Sequence, residues 1–215
     1  MSVESRIMSY VGKMVGGEHH RYRSWEHCYR FFQQTGHSQL ATHQQDAALQ
    51  LGFYLASWGM YRGRSFLLQH AYTIHLAAVD CLADPRWSKL WETEFGANDS
   101  DEGSVSDIVE LRKCLGAAYR QFGEPTDTLV TKIMLGTIAC SPACDRYFIE
   151  GFKSEGYAYS SFNRQFLTDI LQFCRENPGE LRSVQKKIEK EMGIRYPLMK
   201  LVDMCFFQAG VEGTA

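Results

Sequence analysis

Apolar positions along this chain recur with the period of a helix and rarely with the period of a strand. Tyr22, Trp25, Tyr29 and Phe32 are spaced i, i+3, i+7 and i+10, which predicts one helix over 22–34, ended by Gly36. Ala48, Leu51, Leu55 and Trp58 form the next apolar stripe. Gly52, Ala56 and Gly59 share that helix as a small-residue face where another backbone could approach. Gly59–Gly63 reads as a turn, after which Ser65 opens a helix through about Leu82. Pro85 stands in the first turn of a helix that runs to Phe95. Residues 96–103, GANDSDEG, have no apolar periodicity and read as an exposed acidic loop. Ser104 and Asp107 resemble a capping box for a helix through Phe122. Thr126 caps a helix over Asp127–Cys140, and Ser141-Pro142 starts another that ends near Gly151. Three more fit at about 161–176, 179–192 and 197–209. The expected fold is all-α, with about ten or eleven helices in a single domain over 1–215. Two packed lobes, 1–95 and 104–215, would be joined by the acidic loop 96–103 with a cleft between them.

Composition narrows the class. With 215 residues, 13 Phe, 11 Tyr and 4 Trp against 5 Pro, the chain can bury a core and is neither disordered nor fibrous. The longest apolar stretch, Ala47–Tyr61, is broken by Gln50 and is too short to span a bilayer. MSVESRIMSYVGK lacks a basic start followed by an apolar run, so it reads as no secretory signal. Seven scattered cysteines then read as reduced thiols in a cytoplasmic protein.

Charge is balanced overall, at a net −2, but unevenly spread. Residues 1–75 carry 7 basic and 4 acidic groups together with all 7 histidines. Residues 76–103 carry 2 basic and 7 acidic groups. RYR at 21–23 and RGR at 62–64 lie among aromatics, a mixture that suits a strand whose bases can stack.

The familiar small-molecule signatures are missing. There is no Walker A loop, no G-x-G-x-x-G and no G-x-S-x-G elbow, so no nucleotide cofactor is implied. Cys140 and Cys144 are four apart, but Pro142 interrupts the helix that would align them, and no second ligand pair lies nearby; no metal is expected.

The stretch TLVTKIMLGTIACSPACDRYF, 128–148, carries the chemistry. It places Lys132 in an otherwise apolar helix and Asp145, after a Pro-containing turn, in the first turn of the next. Two consecutive helices folded back on each other would bring both to one cleft. A carboxylate near a helix N-terminus stays ionised, and a lysine between apolar helices tends to lose its charge and become a nucleophile. That combination suits cleavage of a glycosidic C–N bond. The carboxylate stabilises a developing oxocarbenium ion or activates water, and the amine can attack the sugar carbon. Asp203, in LVDMCFF, lies in a helix apolar on nearly every side and must be protonated or paired. It reads either as a structural pair with an arginine or as a second acid lining the cleft.

The spacing of Lys132, about ten mostly apolar residues and Pro-x-x-Asp resembles the catalytic region of helix-hairpin-helix DNA glycosylases and their diverged relatives. With RSWEHCYRFF at 23–32 and LASWGMYRGRSFLLQ at 55–69, the chain is also similar to bacterial phage-defence DNA glycosylases that remove glucosylated hydroxymethylcytosine. EPTDT stands where that family has a glycine-rich hairpin before the lysine. The resemblance implies an antiviral base-excision enzyme with an all-α fold, a cleft between helical lobes, a flipped base and no metal. Lys132 and Asp145 would take the family's lysine and aspartate roles. Duplex DNA would then be held by Arg62 and Arg64, with Ser65, Gln69 and free N–H groups at the start of the 65–82 helix. Trp58 and Tyr61 would stack on the flipped base or fill its gap.

Two other readings remain. Arg followed by His after four to six residues occurs at Arg21…His27, Arg30…His37 and Arg64…His70, a spacing that resembles the HEPN ribonucleases. The acidic 96–103 segment and the balanced C-terminal half also suit a non-enzymatic helical interaction module.

Overall fold

The all-α fold that the periodicity predicts is the fold observed. The computed structural model describes residues 1–15, 17, 19–97 and 99–213. Among them are eleven α-helices, several short 3₁₀ turns and no strand. The helices are α1 (Val3–Val15), α2 (Ser24–Thr35), α3 (Gln44–Ser57), α4 (Leu76–Leu82), α5 (Ser88–Glu92) and α6 (Ser104–Tyr119). They continue with α7 (Asp127–Thr137), α8 (Arg146–Ser154), α9 (Arg164–Glu176), α10 (Pro178–Met192) and α11 (Leu198–Gly213). No helix among the described residues is long and apolar enough to cross a membrane.

The helix pattern departs from expectation where local signals competed with packing. The pattern reading omits α1, although Val3, Ile7, Tyr10, Val11 and Met14 repeat at helical spacing and are all buried, against α10 and α11. The expected 65–82 helix is broken into 3₁₀ turns at Phe66–Gln69 and Tyr72–His75 and the short α4. Gln69, His70 and Ala71 are exposed, so no continuous apolar face crosses that stretch, and His70 is extended. The helix after Pro85 ends at Glu92 rather than Phe95. Ser104 does not cap α6: Gly103 holds the cap position without a side-chain bond, and Ser104 is buried. The 96–103 segment is not a plain exposed loop. Residues 99–103 form a 3₁₀ turn, and buried Asp101 accepts the N–H of Gly96 at 2.7 Å; Asn98 lies outside the described residues. Nor does the small-residue face of α3 admit a backbone. Gly52 meets the His75 ring, Ala56 is exposed, and Gly59 serves the following turn at φ 74°.

One cluster of buried apolar side chains includes residues from both sides of segment 96–103. α1 packs on α11, α2 and α3 on α7, and α4 on α6. The α4–α6 contact brings the Cα atoms of Cys81 and Cys114 to 6.3 Å, and these two form a disulfide. The reduced-thiol expectation is therefore corrected for this pair, while Cys28, Cys140, Cys144, Cys174 and Cys205 are free and buried.

α8 and α11 cross backbone to backbone. A Cβ on Gly151 would stand 1.9 Å from the carbonyl oxygen of Phe206, and a Cβ on Gly210 would stand 1.9 Å from that of Tyr147. Gly151 is thus the contact point in the middle of α8 rather than its expected end. Neither backbone can yield without uncoupling the helices, so Gly151→Ala should cost about 3 kcal/mol or more in a urea titration. A loss near the ~1 kcal/mol expected for an ordinary helix position would show that the crossing is loose.

A second prediction concerns His75, fully buried, with Nε2 2.6 Å from the Tyr61 hydroxyl and Nδ1 2.7 Å from that of Tyr119. Burial pushes its pKa down to about 4. The unfolded chain, with the ordinary value of about 6.5, takes up the proton first. The contribution to stability is therefore complete above pH ~6.5 and declines as the pH falls towards ~4, by about 3 kcal/mol in total. His75→Gln should flatten that part of the urea midpoint against pH.

Candidate active site

Asp145 owes its position to the segment joining α7 to α8. After α7, Ala139 takes a left-handed conformation at φ 57°, its N–H bonded to Met134 O at 2.7 Å. The chain then runs without helix to Asp145, and side chains satisfy its buried backbone groups. Thr128 Oγ1 donates to Cys144 O at 2.8 Å, and Thr131 Oγ1 accepts from Cys144 N at 2.8 Å. Asp203 Oδ1 accepts from Ala143 N at 3.1 Å, which ties the segment to α11. Ser141-Pro142 therefore does not begin a helix, as the sequence suggested. Asp145 itself is the N-cap of α8, with extended backbone, its Oδ1 accepting from Phe148 N at 3.1 Å.

The other carboxylate oxygen, Oδ2, receives Lys132 Nζ at 2.9 Å. The two side chains are 4% and 17% exposed, so Lys132 is a paired interior group and does not snorkel to water. Its ammonium lies 4.8 Å from the centre of a Trp58 ring. A second pair lies beside the first. Lys200 Nζ meets Asp203 Oδ2 at 3.0 Å, and both side chains are under one-tenth exposed. Lys200 also donates to the Tyr10 hydroxyl at 3.3 Å and stands 5.0 to 5.5 Å from rings of Tyr10, Trp25 and Trp58. Burial pushes the Lys200 pKa below its ordinary value, against the opposing pull of the Asp203 carboxylate. Asp203 is thus paired, with the lysine one turn before it and not with an arginine.

A cleft of about 500 Å³ is lined by both members of the first pair. Trp58, Tyr147 and Phe207 supply aromatic walls. Trp58 stacks on Tyr22 at 5.0 Å, which stacks in turn on Tyr10 at 4.8 Å. The buried Trp58 indole N–H finds no acceptor. Arg21, Arg62 and Arg146 line the cleft and are exposed. Arg146 pairs with half-buried Glu150 at 3.1 Å, whereas neither Arg21 nor Arg62 pairs with a carboxylate among the described residues. Asp145 is the only carboxylate among the described lining residues, so the cleft carries an excess of positive charge and favours an anionic ligand.

The structure thus brings Lys132, Asp145, Trp58 and Arg62 to one cleft, with Asp203 bonded directly behind the segment that carries Asp145. Arg64, Ser65, Gln69 and Tyr61 do not line it. Arg64 and Gln69 are exposed, and Tyr61 turns to His75. Ser65 caps only a four-residue 3₁₀ turn, its Oγ accepting from Leu67 N at 3.3 Å, so no long helix starts there to bind an anion. Sequence reasoning does not reach Lys200, Tyr147 or Phe207, and it marks Arg21 only as part of the basic RYR patch and of an Arg–His spacing. Lys200 alone had a legible signal, standing three residues before Asp203 in an otherwise apolar run. Among the Arg–His spacings, Arg21 and His27 line one groove. His37 Nε2 instead lies 2.9 Å from Asp84 O, and the His70 ring lies against Phe122 at 4.9 Å. No group of three or more His, Cys, Asp or Glu among the described residues is arranged to hold a metal ion. Comparison with protein-family models, characterised proteins and solved structures gives no match.

Removing one member of a buried pair strands the charge of the other. Lys200→Met should therefore cost about 3–5 kcal/mol in a urea titration. Adding Asp203→Asn, which keeps an acceptor for Ala143 N, should recover much of that loss. A double variant no better than the single one would place the penalty in lost packing around Lys200.

Proposed function

We propose that this chain is a cytoplasmic DNA glycosylase that excises a modified or damaged base, with the cleft as the site of the flipped nucleotide. One observation carries the reading: a lysine–aspartate pair, largely shielded from water, lines an aromatic-walled cleft whose remaining charges are cationic. Aromatic walls suit a base drawn out of its stack, and the arginines suit the phosphates on either side. Asp145 supplies the negative charge that stabilises an oxocarbenium ion at the sugar carbon, or takes a proton from attacking water. Lys132 becomes a nucleophile only after giving up its proton, and Asp145 is the acceptor 2.9 Å away. The amine lone pair then bonds to the sugar carbon as the electrons of the glycosidic bond leave with the base. Of the possible bases, the resemblance to phage-defence enzymes favours glucosylated hydroxymethylcytosine, and the duplex as substrate.

The test incubates the protein with phage DNA carrying modified cytosine, with unmodified DNA and with RNA, and scores abasic sites and strand breaks. Abasic sites are expected in modified DNA. RNA fragments alone would replace the reading with a HEPN-like ribonuclease, and inertness on all three with an interaction module. Asp145→Asn keeps the cap but strands the charge of Lys132, so it should lose stability, while base release per folded molecule falls by roughly 10²-fold. A wild-type rate per folded molecule would remove Asp145 from the chemistry. Borohydride added during turnover should trap a Lys132–DNA adduct, lost in Lys132→Ala. An active enzyme that traps nothing would leave Asp145 acting on water alone.

A further inference from the structure

A second groove, of about 350 Å³, lies beside the cleft, and Arg21 lines both. Its other cationic or titratable side chains are His19, His20, Arg23 and His27, and no carboxylate lines it among the described residues. Glu26, in the adjoining first turn of α2, is buried and already held by the Tyr196 hydroxyl at 2.5 Å and by Arg23 at 3.4 Å. His20 Nδ1 accepts the N–H of Tyr22 at 3.3 Å, which leaves Nε2–H as a donor. The groove also receives the N-terminus of the twelve-residue α2, where Arg23 holds the cap position without a side-chain cap bond.

Two buried polar atoms here lack partners. Ser24, 6% exposed, lines the groove, and its hydroxyl finds no hydrogen bond within the protein. Arg23 Nε is likewise unpartnered. Such groups are costly unless something outside the chain completes them. Phe53, 69% exposed, forms the other side of the groove with Ser57. An exposed ring of this size beside a cationic channel has no packing role in the protein.

We infer that this groove is the path of the DNA strand flanking the nucleotide held in the cleft. The Arg21–Arg23 turn, the histidines and the start of α2 take phosphates, and Phe53 stacks on a neighbouring base. The inference rests on the proposed function for the identity of the strand. Its grounds are separate: complementary charge, unpartnered donors, an exposed aromatic ring, and continuity with the cleft through Arg21. A groove that combines a cationic track with an aromatic platform is the recurring solution for single-stranded nucleic acid.

The test measures binding of short fluorescein-labelled oligodeoxynucleotides by anisotropy across a salt series, on unmodified DNA so that no chemistry is needed. Phe53→Ala removes the stacking ring from an exposed position. Ser57→Glu adds a negative charge to the groove without removing any contact with the core. Each should weaken binding roughly tenfold at moderate salt, within the range expected for one lost stack. Ser57→Glu should also flatten the salt dependence by about one phosphate contact. Thermal unfolding of both variants checks that the fold is kept. Unchanged affinity in both folded variants, or no DNA binding by the wild type, would overturn the inference. RNA cleavage lost in His27→Ala would overturn it too, by making the groove a ribonuclease centre. If the glycosylase reading alone fails, base release is absent but groove-dependent binding persists. If the inference alone fails, base release persists while both groove variants bind as wild type.

Discussion

Two lysines and two aspartates packed among aromatic rings, all buried but the partly exposed Asp145, impose the central constraint on this fold. Each charge taken from water must be neutralised at hydrogen-bond distance, and the four do so as Lys132 with Asp145 and Lys200 with Asp203. Much of the surrounding structure follows from keeping those distances. The Tyr10–Tyr22–Trp58 stack presents ring faces to the two lysines. The irregular segment before α8 is pinned by Thr128, Thr131 and Asp203, so Asp145 is held from both sides of its own peptide chain. Asp203 thereby serves two ends, balancing Lys200 with one oxygen and anchoring Ala143 with the other. A site built this way is preorganised, with its polar groups oriented before any ligand arrives.

The sequence made the fold class legible because helical periodicity is a local property, repeated in one segment after another. It also made the Lys132–Asp145 encounter legible, since the two residues lie on α7 and at the cap of α8, consecutive helices, although the irregular segment between them was not foreseen. Pairings set by distant segments were not legible. Nothing in RYR at 21–23 or in FFQ at 206–208 reveals that Arg21 and Phe207 line one cleft. Close helix packing was read in the wrong place for a related reason. Gly52, Ala56 and Gly59 lie on one helix and advertise themselves, whereas the true crossing needs one glycine from each of two helices 59 positions apart. Asp203 stands out as a charge in an apolar run, and the same run holds its partner Lys200 three residues earlier, a pairing that the expectation of an arginine partner passes over. The break at His70 falls where Gln69, His70 and Ala71 are all exposed, a gap in the apolar face that the expected 65–82 helix passes over.

Cleft and groove together describe a surface of graded character. The cleft is walled by aromatics and holds the one accessible carboxylate among its described lining residues, while the groove is cationic and free of carboxylates among its own. Arg21, above the rings of Tyr22 and Trp58 at 5.4 and 5.8 Å, stands where the two meet. Such an order suits a polyanion that must surrender one unit to a confined site while the rest stays in contact with solvent.

The Gly151–Gly210 crossing has a consequence for how the cleft can respond to a ligand. Helices in direct backbone contact have no side-chain layer between them to slide or repack, so α8 and α11 move as one body. Asp145, Tyr147 and Phe207 all ride on that body. The opposite wall is built differently: Met60 and Arg62 sit in a turn bracketed by Gly59 and Gly63, both with positive φ. The geometry favours a one-sided adjustment of the cleft. Asp145 stays fixed on a rigid jaw, and the glycine-hinged turn is the wall free to close over a ligand.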